Sequence, residues 1–250
     1  MSKKAFWVLG LFLWNAEVLA HQEWGVEGGK TVGAGSLAFE GGFEGAFTHL
    51  GSIRNESFSD NTVGIRAGFS YGALSGLDLG LRFTLNFGWG EIDQYYRNSY
   101  YYSTTSSDVT TGIKAQVLLK VGFFDTGFLS FAMKVEPGFL ADFYSKDTVM
   151  GLALPVGFQL GLAFSDRVGV GILLDLPMVL EFGKKGVKNS FLLPILMGAG
   201  VDVFFTSNFL IHAALTMGPA INVAGDGWKN VHGGNVIFVA EVKTGIAFRF

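Results

Sequence analysis

The sequence predicts an all-β fold: one closed, antiparallel, up-and-down transmembrane β-barrel of about ten strands. Three observations predict it. Apolar residues recur at every second position through ten segments that continue to the last residue. None of the ten apolar faces carries a charge, while the opposite faces hold acids, bases and many small residues. The connections between segments alternate between long and short, as they do in barrels whose two rims face different compartments.

Before the first segment, residues 1 to 20 have the layout of a secretory signal peptide. Lys3 and Lys4 precede the apolar stretch Ala5 to Trp14, and small residues lead to an expected cleavage after Ala20. Residues 21 to 35 are expected to form a flexible lead-in in the periplasm, with folding into the lumen as a plug the lesser alternative, and residues 36 to 250 the barrel. Gly29-Lys30-Thr31 has the ending of a phosphate-binding loop, but Trp24 stands where its first glycine belongs, and no strand-to-helix context surrounds it.

Segment one, Ser36 to Thr48, sets Leu37, Phe39, Phe43 and Phe47 on one face and Glu40 and Glu44 on the other. Segment two sets Val63, Ile65, Phe69 and Tyr71 against Arg66, and segment three sets Leu77 through Trp89 at odd positions against Asp78 and Arg82. Segments four (Val109 to Val121) and five (Phe128 to Leu140) hide Lys114, Gln116, Lys120, Lys134 and Glu136 from their apolar faces. Segments six (Met150 to Phe164) and seven (Val168 to Phe182) both place apolar residues at even positions, which requires a three-residue connection, Ser165-Asp166-Arg167. The last three segments run from Phe191 to Phe205, Phe209 to Ile221 and Val236 to Phe250.

Two features separate this pattern from a soluble sandwich. Most segments exceed the usual globular strand of about 5 to 6 residues and suit a tilted crossing of a bilayer, which takes about 9 to 11. The polar face is rich in Gly and Ala, as the crowded interior of a narrow barrel requires, where a water-facing sheet would carry Lys, Glu and Thr. Aromatics gather near segment ends, Phe87 and Trp89 at one rim and Tyr71, Phe123, Phe164, Phe205 and Phe209 at the other, as interfacial girdles do. The formal net charge of −3 offers nothing for a nucleic acid, and the chain has no cysteine to form a disulfide.

The C-terminal residues Lys243-Thr-Gly245-Ile-Ala-Phe248-Arg-Phe250 resemble the terminal assembly signal of bacterial outer-membrane β-barrel proteins, a broad porin-like superfamily of Gram-negative envelopes. The resemblance implies recognition of this final strand by the outer-membrane insertion machinery, while the alternation of long and short connections, with an even strand count, leads to the expectation that both termini lie in the periplasm. Outer-membrane lipid and lipopolysaccharide are the expected surroundings, with Lys184, Lys185 and Lys188 placed to meet lipopolysaccharide phosphates. No cofactor or metal is expected.

Candidate functional residues are all lumen-facing. Glu40, Glu44, Arg66, Arg82, Lys114, Glu136, Glu241 and Lys243 fall in the middle of their strands and are candidates for ion pairs crossing the lumen. Lys114 and Glu136 become direct partners if the intervening turn centres on Asp125. Leu173, Pro177, Val179, Leu192, Pro194 and Leu196 form an apolar lumen patch that serves either as packing or as a path for small hydrophobic molecules. Asp202 and His212 are expected opposite one another, a pairing read as a structural hydrogen bond because no inward Ser or Cys nucleophile lies nearby. Tyr95, Tyr96, Tyr100, Tyr101 and Tyr102 crowd one outer loop. The expected function is non-enzymatic: a structural or weakly conducting narrow pore, with transport of small hydrophobic molecules as the alternative and an enzyme third.

Overall fold

The computed structural model describes residues 24–50, 58–97, 100–104, 110–143, 148–182, 190–224 and 237–250. The expected signal peptide with its cleavage site, and Lys184, Lys185 and Lys188, lie outside the described residues. The described chain is a single closed antiparallel sheet whose ten staves match the ten segments in order.

Stave one is β1 (Leu37–Leu50), two is β2 (Phe58–Leu74) and three is β3 (Leu77–Arg97). A short β4 (Tyr100–Thr104) folds back on the end of β3, pairing Tyr95 with Tyr102 and Tyr96 with Tyr101, so part of the expected tyrosine loop is a β-ribbon. Stave four is β5 (Thr110–Asp125), and stave five is β6 (Leu129–Val135) with β7 (Gly138–Phe143). Staves six and seven are β8 (Thr148–Ser165) and β9 (Val168–Phe182). Stave eight is β10 (Ser190–Pro194) with β11 (Leu196–Thr206), nine is β12 (Phe209–Ala224) and ten is β13 (Ile237–Arg249). The sheet closes where β1 pairs with β13, from Ala38 opposite Arg249 to Leu50 opposite Ile237, and Leu37 and Phe250 exchange backbone hydrogen bonds at the rim. Closure joins the first and last staves, so that the sheet has no free edge strand, the condition for placing a sheet in lipid.

The alternation seen in sequence becomes an inside and an outside. Phe43, Ile65, Phe83, Phe139 and Met197 are more than half exposed on the outer wall, a continuous apolar surface no water-soluble monomer displays. Among the described residues no helix is long and apolar enough to cross a membrane. Inside, Arg66, Lys120, Lys134, Glu136, Asp175, Asp202 and His212 are buried.

The shared parity of β8 and β9 holds, through a two-residue turn Asp166-Arg167 combined with a bulge between Ala163 and Ser165. The Ser165 hydroxyl accepts from the backbone N–H groups of Arg167 and Val168 and holds that turn. The turn between β5 and β6 centres on Gly127, not Asp125, and the registry shifts with it: Lys114 faces Leu140 instead of Glu136. The physical reason is backbone conformation. Gly127 adopts φ 85°, which a glycine accepts and an aspartate resists. Asp125 instead caps the turn, its carboxylate accepting from the Gly127 N–H at 2.8 Å.

Candidate functional site: a plugged, ion-paired lumen

Residues 24–32 do not hang below the barrel as a flexible lead-in would. They fold back through the rim that carries the short turns and occupy the lumen, with Trp24, Glu27, Lys30 and Val32 all buried, while Ala34 and Gly35 lie exposed at that rim. The cause is a set of side chains aimed inward at a backbone that has no sheet partner. Asp202 on β11 accepts from the N–H groups of Val26 at 3.0 Å, Glu27 at 3.1 Å and Gly28 at 3.2 Å. Lys120 donates to the carbonyls of Gly25 and Gly28, and Gln159 to that of Val26. Asp78 accepts from the Val32 N–H through both carboxylate oxygens at 3.0 Å. A segment without secondary structure thus finds partners for its buried polar groups.

Trp24 anchors the start of this plug. Its indole N–H donates to the Ser207 carbonyl at 2.9 Å, its ring meets Phe204 edge-on, and the Arg249 guanidinium lies over it. Lumen-facing glycines make the room. A Cβ at Gly29 would sit 2.6 Å from the Ser130 carbonyl oxygen, one at Gly200 2.6 Å from the Glu27 side chain, and one at Gly171 would strike the Glu27 carbonyl. Part of the Gly-rich inner face read from the sequence, Gly161, Gly171 and Gly200 among it, thus leaves the space that the plug fills.

Asp202 and His212 stand opposite one another in the β11–β12 register, as the sequence arithmetic requires. They do not act on each other. Asp202 is taken up by the plug backbone, and the His212 Nδ1 lies 3.0 Å from the Glu27 carboxylate. The other ring nitrogen of His212 lies 3.6 Å from Glu40, so a chain of groups runs from plug to wall. Glu27 lies outside the spanning strands. Burial pushes its carboxyl pKa up, but the His212 hydrogen bond and the charges of Lys134, His212 and Arg66 overcome this and hold it well below the usual carboxylate range.

Beyond the plug, the charges form two clusters. In the first, Glu40 pairs with both Arg66 and Arg82, the latter at 3.0 Å, Arg82 also binds Glu136, and Glu44 binds Lys114 at 3.3 Å. Staves one to five contribute one after another. In the second, Asp175 on β9 lies 3.8 Å from Lys134 and 3.5 Å from Lys243, which also binds Glu241 at 3.2 Å. Asp175, Lys134, Lys120, Asp78 and Gln159 were not singled out from sequence, although each has the inward parity of its strand. Glu27 carried no such signal, since it precedes the first periodic segment.

Of the expected apolar patch, Pro177, Val179, Leu192 and Pro194 lie on the loop side of Asp175 and Leu196 stands opposite it, whereas Leu173 lies two residues nearer the short-turn rim, opposite Gly198, and is separated from the others by the Asp175 level. Val179 faces Leu192 across the β9–β10 pairing, and Leu196 packs with Ala220 and Val239. A lumen cavity lined by Trp24, Glu40, Asp78, Arg82, Lys120 and their neighbours holds about 30 Å³, room for a water or two.

No family model matches the chain, and no curated protein matches it. Among solved structures, the translocator domain of the autotransporter NalP from Neisseria meningitidis is similar at TM-score 0.47 and 10% identity, over 87% of this chain and 89% of that one. The outer membrane protein OprG from Pseudomonas aeruginosa is similar at TM-score 0.36 and 12% identity, over 90% and 99%. Ail, the attachment invasion locus protein of Yersinia pestis, is similar at TM-score 0.35 and 11% identity, over 87% and 99%.

Proposed function

We propose that this chain is a non-enzymatic bacterial outer-membrane barrel, exported by a cleaved signal peptide and closed at rest by its own N-terminal segment. The observation that carries the reading is the plug: residues 24–32 occupy the lumen and are held there by Asp202, His212, Lys120, Gln159 and Asp78. Burying an unstructured segment among ionised side chains costs free energy unless every group is partnered, and here the partners come from staves all around the wall. The rim with the short turns is then the periplasmic one, where both ends of the mature chain lie, and the terminal strand β13 is the part offered to the insertion machinery. The outer wall meets lipid, and lipopolysaccharide surrounds the loop rim.

Planar-bilayer recording tests this. The mature protein, refolded and inserted, is expected to be electrically silent. A variant lacking residues 21–32, and a Glu27→Ala, Asp202→Ala double variant that keeps the full chain, are expected to pass small-ion currents. Steady open-channel current from the intact protein would overturn the closed-barrel reading. A second reading, passage of small apolar molecules, is favoured by one observation: Pro177, Val179, Leu192 and Pro194 give the lumen wall an apolar stretch on the loop side of the Asp175 charges.

A further inference from the structure

All five prolines of the chain, Pro137, Pro155, Pro177, Pro194 and Pro219, stand side by side across staves five to nine. A proline in a sheet removes a ladder donor, and in lipid a missing bond has no water to replace it. Each occupies a position where its strand turns polar groups toward a neighbour. Val117 donates to the Pro137 carbonyl, Glu136 to that of Pro155 and Ile195 to that of Pro219, and in each case the proline has no N–H to return. At one place the loss is repaired: the Gln116 side chain donates to the Glu136 carbonyl that Pro155 leaves unserved.

Among the described residues, staves seven and eight show no such repair. Because Pro155 turns its polar groups toward stave five, its pairing with Pro177 is of the non-hydrogen-bonded kind, so Pro177 turns toward stave eight. Ile195 bonds to stave nine, so Pro194 turns toward stave seven. The two prolines therefore meet at a hydrogen-bonding rung with no donor on either strand. Pairing stops at Leu192 opposite Val179 and resumes at Leu196 opposite Asp175, which leaves about 13 Å of wall without backbone bonds. Stave eight is itself interrupted here, between β10 and β11.

The same seam is flanked on the lumen side by the apolar patch, since Val179, Pro177, Leu192, Pro194 and Leu196 are its two margins. Directly beneath, one rung down, Asp175 with Lys134 and Lys243 forms a charged floor. An apolar molecule reaching the patch from the loop rim meets ions ahead of it and an unbonded wall beside it. We propose that the seam between β9 and β10/β11 is a lateral portal, through which a small apolar molecule leaves the lumen sideways for the hydrocarbon layer. The portal rests on the second reading above and gives it a route, one that bypasses both the charged floor and the plug.

The chain has no cysteine, so a disulfide can be placed at will. Met178 and Leu193 fall opposite each other in the continued register, on the lipid face and at a non-hydrogen-bonded position, where Cα atoms approach to about 4.5 Å and a disulfide fits. Uptake of N-phenyl-1-naphthylamine by host cells displaying the full-length protein is the readout. In M178C/L193C, oxidation is expected to reduce uptake to that of cells lacking the protein, and reduction to restore it. L215C/V242C, which crosslinks the intact seam between β12 and β13, is expected to leave uptake unchanged. P177V/P194V restores the rung and is expected to slow uptake while raising the barrel's resistance to heat. Full uptake with the seam crosslinked overturns the portal and leaves apolar transport standing. Equal loss in both crosslinked variants also overturns the portal. No uptake by the unmodified protein overturns apolar transport itself, and the portal with it.

Discussion

At the scale of single residues, Asp202 and Glu27 have the largest leverage. Asp202 accepts from three successive backbone N–H groups in a buried site. Asp202→Ala leaves all three without that acceptor and is expected to destabilise the docked plug by about 3 kcal/mol or more. Hydrogen exchange checks it: Val26, Glu27 and Gly28 lose protection while the strands keep theirs. Glu27 supplies a pH dependence whose sign is set by its lowered pKa. A carboxylate with a depressed folded-state pKa stabilises the docked state at and above the ordinary glutamate range, and that contribution is lost as pH falls through the folded value. The plug is therefore expected to stay seated at acidities that protonate an exposed glutamate, and to release only in stronger acid. Glu27→Gln should abolish that acid step in the conductance of the protein.

At the scale of elements, the glycines opposite the plug and the turn at Gly127 show how local chemistry sets a strand's partners. Gly171 leaves space for the Glu27 carbonyl, and any Cβ there strikes it. Gly171→Val is expected to leave β9 paired, since a β-branched residue suits a strand, while expelling the plug. Acrylamide quenching of Trp24 fluorescence, followed in a variant whose other tryptophans are replaced by Phe, should rise from the buried to the exposed level. The turn at Gly127 decided which residues became ion pairs. By shifting the β5–β6 centre two residues from Asp125, it took Glu136 away from Lys114 and left it to Arg82.

At the scale of the whole molecule, the charges are a property of closure. Arg82 on stave three binds Glu40 on stave one and Glu136 on stave five, and Asp175 on stave seven binds Lys243 on stave ten. Arg82→Met strands two buried carboxylates and is expected to cost about 3 to 5 kcal/mol. Adding Glu136→Met should recover part of the loss, because only Glu40 then lacks this cation and it keeps Arg66. Urea unfolding in lipid vesicles measures both.

Periodicity alone determined the barrel, its ten staves, their inward and outward faces, and the pairing of Asp202 with His212. A period-two pattern specifies which way each side chain points, and a turn centre specifies which residue stands opposite which. It determined that Glu40, Arg66, Arg82 and Lys243 face the lumen, because a charge on the lipid face is excluded. Only the tertiary structure decided who meets whom across that lumen, since inward partners such as Asp175 and Lys243 belong to strands that do not adjoin in sequence. It alone placed residues 24–32 inside, because that segment has no period and takes its position from hydrogen-bonding groups on five different staves. The five prolines are visible in the sequence one at a time, but that they form a single row, with two meeting at one rung, follows from the registers the closed sheet imposes.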